Sequence, residues 1–304
     1  MNLFGADGVQ RPMVSRRVFL GGGLAGLGGL MAGGLALVEE GVLPGKVRLD
    51  KTLGRCGDVP PAPAVAGVVR PGTLRSRHRG RDVGVVVVLP AGVNSLKGLP
   101  VVVALHGNGG TAEAAVSGLA LDRYLTDAAR KVRPFALVAV DGGASSYWHT
   151  RSSGDDPIAM IVEELLPWLR RQGARTGRFG AIGWSMGGYG ALVLAQTVGA
   201  PRVSGVVASS PALFSSYKDA QSTNGLAFDD AADFARQDVF RRLDRLRGVP
   251  VRVDCGNSDP FAPMVEQLRG RLRPAGGMSK GCHDGAFWRA RLPDQLDFLG
   301  RHLA

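Results

Sequence analysis

The sequence predicts an α/β fold with a mostly parallel central sheet and helices on both faces, and three observations carry that expectation. Apolar runs of strand length recur along the chain, among them Val83-Gly84-Val85-Val86-Val87-Val88-Leu89 and the run from Pro100 to Leu105. Runs that are apolar at nearly every position suit strands buried on both faces, as in parallel sheets. Segments of helical character alternate with them, and parallel neighbours need such crossovers. One run, Phe179 to Trp184, passes through Ser185 and Met186 straight into a small-residue helix, Gly187 to Val198. With 304 residues, 45% of them hydrophobic, the chain can fill the core of one large domain.

Residues 1–38 read as a twin-arginine-type export leader or anchor. A polar, basic start ends in Ser15-Arg16-Arg17-Val18-Phe19-Leu20, and a glycine-rich apolar run continues to Val38 before Glu39 and Glu40 stop it. Basic then apolar is the layout of an export leader, and the arginine pair resembles the signal that sends folded proteins across a bacterial membrane. The run is also close to the roughly 20 residues a membrane helix needs, so membrane attachment through 18–38 stands beside cleavage. The expected location is extracellular, or anchored on the outer face of the cytoplasmic membrane. Residues 39–66 contain Pro44, Pro60, Pro61 and Pro63 with little periodicity and read as a spacer; the domain proper is expected over 67–304.

Within it, an opening pair of strands is expected at Val68 to His78 and Asp82 to Leu89. Then come a strand at Pro100 to Leu105, one helix from Ala112 to Lys131, and a strand at Phe135 to Val140. A helix from Pro157 to Arg171 is opened by Asp155 and Asp156, whose carboxylates suit a helix N-terminus. After the 179–198 unit, strands are expected at Val203 to Ala208 and Val249 to Cys255. Helices follow at Met264 to Arg273 and from the Gly281–Gly285 loop to Leu303. Residues 211–248 break the alternation and read as an insertion over the site.

A net charge of +11 invites a nucleic-acid reading, but the arginines are scattered along stretches such as 236–247 and 269–273, without interleaved aromatics or a nucleic-acid motif. A solvated basic surface accounts for them. No pair of the three cysteines, Cys56, Cys255 and Cys282, has metal-ligand spacing, so no metal is expected. An odd count permits one internal bridge at most. A Cys255–Cys282 pairing would tie together two functional loops and leave Cys56 free, but spacing alone does not decide it.

The chemistry centres on Gly183-Trp184-Ser185-Met186-Gly187. Strand, tight turn and helix with serine at the apex make a nucleophile elbow, in which flanking glycines let strand and helix approach. The Met186 N–H at the helix start points at developing negative charge. A serine hydroxyl needs a base and a group to orient that base. Of the five histidines only His283 and His302 follow Ser185; His302 ends the terminal helix, whereas His283 lies in a loop before it and is the candidate base. Asp259, in the Gly256–Phe261 loop after a strand, is the candidate acid, with helix capping as its plainer role. Asp254 lies within the strand, and Asp284 is too close to His283 in sequence. The glycine-rich loop His106-Gly107-Asn108-Gly109-Gly110 would supply a second oxyanion donor from the N–H of Asn108, with His106 bracing the loop. Trp148 and His149 lie beyond a strand end, where α/β proteins bind ligands, and could line a substrate pocket with Trp184; Trp148 could equally anchor its loop.

Leu105 to Asn108, Gly183 to Ala191, Cys255 to Phe261 and Gly281 to Asp284 together make residues 67–304 resemble the α/β-hydrolase superfamily. The resemblance is to its putative-esterase group, which takes in S-formylglutathione hydrolase-type esterases and secreted mycolyltransferases. It implies the α/β-hydrolase fold and carboxylester hydrolysis or acyl transfer with no metal or organic cofactor; a small-molecule or lipid-like ester cleaved through an acyl-enzyme is expected, and no protein partner. A cell-envelope acyltransferase with the same triad, and a non-catalytic binding protein of that fold, are the alternatives. Ala275-Gly276-Gly277-Met278 is poor material for the strand expected before His283.

Overall fold

In the computed structural model, which describes residues 46–303, the apolar runs become β1 (Val68–Ser76), β2 (Arg81–Leu89), β3 (Pro100–Leu105), β4 (Ala136–Val140), β5 (Arg175–Trp184), β6 (Val203–Ser209), β7 (Val251–Gly256) and the two-residue β8 (Met278–Ser279). The expected leader, including the attachment through 18–38, lies outside the described residues. The strands form an eight-stranded sheet among the described residues, ordered β1-β2-β4-β3-β5-β6-β7-β8. β1 to β2 and β2 to β4 are antiparallel; every later neighbour pair is parallel. Parallel strands send their C-terminal ends to one rim, so the loops that follow them converge there.

Strand periodicity then sorts the side chains. Val101, Val103 and Leu105 of β3 join one apolar layer, and Val102 and Ala104 join the other. Over the second layer lie α2 (Ala112–Leu119), α3 (Leu121–Ala128) and, from the far end of the chain, α9 (Gly285–His302), through residues such as Val116, Leu125 and Leu296. The first layer is covered by the helical stretch 157–171 (α4) and by α5 (Met186–Val198), through Ile161, Leu165, Leu192 and Ala195. The remaining elements are α1 (Lys46–Thr52), α6 (Tyr217–Thr223), α7 (Ala231–Gln237), a 3-10 helix at Val239–Leu246 and α8 (Ala262–Leu272).

Two expected helices are modified. The single helix over 112–131 divides at Ala120, which adopts a left-handed conformation (φ 52°) and caps α2 through its N–H to the Val116 and Ser117 carbonyls. The new direction lets α3 carry the chain that precedes β1: Arg123 donates to the carbonyls of Pro63 and Ala64 (3.1 and 2.6 Å). In α4, Met160–Leu165 widens to a π-helix between Pro157–Ala159 and Leu166–Arg171. Pro167, with no N–H to donate, sits just beyond the widened turns, which shift the hydrogen-bond ladder past it.

The cysteine pairing also differs from Cys255–Cys282. Cys282 is bridged to Cys56 across 226 residues, and Cys255 is the free thiol. The reason is the two-residue period of β7: Cys255 shares the core-facing side of Val251 and Val253 and is fully buried. Burial, with the Asp259 carboxylate nearby, raises its thiol well above the ordinary range.

Two outcomes follow. Native protein should show no thiol accessible to an aromatic disulfide reagent, one after denaturation, and three after denaturation with reduction. Cys56→Ser should lower unfolding free energy by about 2–4 kcal/mol in denaturant titration, the scale of removing a crosslink that closes a long loop.

Candidate active site

At the centre of the rim, β5 turns into α5 in one residue. Ser185 takes that turn with φ 57° and ψ −121°, a conformation that a side-chain-bearing residue holds at a cost of about 1–3 kcal/mol. Its neighbours hold it: the Ser185 N–H donates to Ser209 O (3.0 Å), and its carbonyl accepts from Tyr189 and Ala212 N–H (3.1 Å each). A Cβ at Gly183 would fall 2.0 Å from Gly187 O, and one at Gly187 would fall 1.9 Å from Leu105 O. Backbone therefore occupies the space where side chains would be, which is why both flanks are glycine.

Two further loops reach Ser185. β8, short as its sequence suggests, pairs only with Cys255 and Gly256 before the chain continues to Cys282 and His283. His283 Nε2 lies 2.8 Å from Ser185 Oγ, and its Nδ1 lies 2.8 Å from Asp259 Oδ2. Asp259 is buried, and its other oxygen accepts the Phe261 N–H (2.9 Å), so it caps its own turn and faces the imidazole at once. A carboxylate only accepts, so Nδ1 carries the proton and Nε2 is left to accept from the serine hydroxyl. Phe261 and Trp288 stand edge-on to the ring at 5.1 and 5.2 Å. Asp284 caps α9 through the Phe287 N–H, Asp254 is held by Arg252 and Gln295, and His302 bonds the Phe298 carbonyl.

The loop after β3 passes alongside: a Cβ at Gly107 would lie 3.5 Å from Ser185 Cβ. Asn108 Oδ1 accepts from Ser145 Oγ (2.7 Å) and from Asn224 Nδ2 (3.0 Å), a brace from the 211–248 segment that sequence reasoning missed. Its backbone N–H and that of Met186 belong to the two segments flanking the serine. His106 is buried; its Nε2 accepts the Gly142 N–H (3.0 Å), and Nδ1 donates to Gly107 O (2.8 Å). Burial lowers its pKa, and protonation would also remove the acceptor for Gly142.

Two of the three expected pocket residues lie elsewhere. Trp148 is fully buried and donates to His106 O (3.2 Å). A Cβ at Gly142 or Gly190 would fall 2.4 or 2.5 Å from its side chain, so the indole is clamped between two backbones and anchors its loop. His149 is buried against Phe228, with Nε2 bonded to Ala227 O (3.0 Å), and lines a separate cavity. Position after a strand points both residues to the site; the close approach of Gly142 and Gly190 takes up Trp148, and Phe228 of the 211–248 segment takes up His149. Trp184 does line the cavity that opens at Ser185 and His283, together with Leu119 and Trp288.

The chain matches, over residues 76–299, the profile of the family described as "Putative esterase". Among solved structures, an S-formylglutathione hydrolase from Agrobacterium tumefaciens superposes with TM-score 0.65 at 18% identity, covering 79% of this chain and 97% of that one. Mycobacterium tuberculosis MPT51 gives 0.63 at 18% (79% and 100% covered). A ferulic acid esterase from Anaeromyces mucronatus gives 0.62 at 18% (79% and 93% covered). At such identities the likeness establishes the α/β-hydrolase fold alone. A comparison with curated protein sequences finds no match.

Trp148→Ala should cost about 3–5 kcal/mol of stability, the usual loss for truncating a buried aromatic, in denaturant titration. An imidazole held below its ordinary 6.5 takes up a proton more readily in the unfolded chain. The His106 contribution is therefore complete above pH 6.5 and is lost as pH falls below it. His106→Asn should flatten the decline of stability between about pH 6.5 and 5 relative to the parent protein.

Proposed function

The chain belongs to the putative esterase family, and from that premise we propose that it hydrolyses carboxylic esters in two steps at Ser185. The observation that carries the proposal is the unbroken chain Ser185 Oγ, His283 Nε2, His283 Nδ1 and Asp259 Oδ2, 2.8 Å at each gap, drawn from three separate loops. Ser185 Oγ attacks the ester carbonyl carbon while its proton passes to His283 Nε2. The carbonyl electrons move onto oxygen, where the N–H groups of Met186 and Asn108 stabilise the charge, at about 3–4 kcal/mol for each donor. Collapse breaks the bond to the alcohol oxygen, which takes the proton from His283 and leaves. Water then repeats the sequence: its proton goes to His283, its oxygen to the acyl carbon, and Ser185 recovers a proton as the acid departs. Asp259 orients the imidazole and stabilises its charged form without taking the proton.

Export belongs to the proposal through the basic-then-apolar residues 1–38, and the Cys56–Cys282 bridge supports it, since such crosslinks persist in oxidising compartments. A fusion of residues 1–45 to a reporter active only outside the cytoplasm tests that part. Signal is expected with the Arg16-Arg17 pair intact, and loss when Arg16→Lys and Arg17→Lys are combined.

A fluorophosphonate probe followed by peptide mapping should label Ser185 in the native protein and fail with Ser185→Ala. Asp259→Asn should lower kcat by about 10⁴ while the fold survives, the size seen where the orienting carboxylate of such a triad is neutralised. Label on another residue, or none on folded protein, counts against the mechanism and favours a non-catalytic binding role.

A further inference from the structure

The cavity at Ser185 has a volume of about 520 Å³, inside the roughly 300–1,000 Å³ range of small-molecule sites. It extends away from the catalytic groups between α2 and α9. Ala115, Gly118 and Leu119 form one wall, at the i, i+3 and i+4 spacing that puts residues on one helix face. Trp184 and Trp288 also line it.

Its electrostatic character is set by what lines it. The chain has 37 lysines and arginines, yet among the described residues none lines this cavity, and no carboxylate does. Its titratable side chains are two imidazoles. One is His283, committed to Ser185 and Asp259; the other is His106, whose two ring bonds require the neutral form. A charged group packed against this lining would find no counter-charge to offset the water it gives up.

Gly118 lies at the exposed edge of this wall, with Ala115 half-buried and Leu119 buried beside it. A Cβ at Gly118 meets nothing within 4 Å, so the space above the helix is open and a larger side chain would enter it without displacing the backbone. Leucine is also the better helix former, so the replacement does not oppose the local fold.

Resting on the serine-hydrolase reading above, we infer that the substrate is an uncharged ester whose extended apolar part, aliphatic or aromatic, lies in the groove between α2 and α9. The α2 face that carries Ala115, Gly118 and Leu119 bounds that part on one side.

The test compares kcat/KM for nitrophenyl acetate, butanoate and octanoate, and for ethyl, butyl and octyl acetates by proton release. The parent protein should favour the longest member of at least one series; the series that responds tells whether the acyl or the alcohol side occupies the groove. Gly118→Leu, and independently Ala115→Leu, should lower the octyl-to-short ratio in that series by roughly tenfold or more, since pocket contacts discriminate strongly by size. The nitrophenyl monoester of suberic acid, which ends in a carboxylate, should react roughly tenfold or more slowly than the octanoate in the parent protein. Short esters cleaved, with no length preference in either series and a carboxylate tolerated, would overturn the inference alone. Failure of folded parent protein to cleave any ester would remove the serine-hydrolase reading and this inference with it.

Discussion

The site depends on one steric constraint: strand β5 and helix α5 meet with no room for a Cβ at Gly183 or Gly187. That contact forces the chain to turn through Ser185 alone and puts its backbone at positive φ. The strain is small beside the burial on either side of it. β3, β6 and the Phe179–Trp184 part of β5 are buried throughout, and the parallel pairing of these strands holds the end of β5 that leads into the turn in register. The hydrogen bond that Ser185 donates to Ser209, and those it accepts from Tyr189 and Ala212, hold the turn. A preorganised nucleophile is thus a consequence of packing, with the hydroxyl held where the following loops can reach it.

Three polar side chains around that turn are committed to partners, two of them, Asp259 and His106, buried and one, Asn108, exposed. Asp259 divides its oxygens between a turn N–H and an imidazole, His106 joins two loops through its two ring nitrogens, and Asn108 is braced by Ser145 and Asn224. For the two buried groups such commitments matter, because a buried polar group left unpaired costs about 1–3 kcal/mol. They also separate roles. The imidazole that faces the serine is partly open to the cavity, whereas the one that joins the loops is closed off and kept neutral.

The two faces of the sheet contribute differently at the rim. On the α5 side, Tyr147, Tyr189, Phe214 and Phe228 pack their rings together under the 211–248 segment, and Arg151 ties that segment down through Asp229. Burial raises the Tyr147 phenol to about 12, so that hydroxyl keeps its proton. On the α2 side the helices carry small residues at the rim, and the open cavity lies there. One side is a foundation and the other a binding groove.

Much of this was legible in the linear sequence because it is written in local terms. Continuous apolar runs specified buried strands, their alternation with helices specified a parallel sheet, and Gly-Trp-Ser-Met-Gly specified a turn that only glycine flanks permit. The order of Ser185, Asp259 and His283 on loops after strands was enough to nominate them together, and these three side chains meet in the fold. Tertiary structure decided the rest, since those choices depend on which faces meet across long separations. Cys255 points into the core through the pleat of β7, leaving Cys282 to Cys56; Trp148 is captured by Gly142 and Gly190, 48 residues apart in the chain; the cavity wall comes from pairing α2 with α9. A strand or an elbow is fixed by neighbours a few residues away, but a pocket is the space left between elements that the chain brings together only on folding.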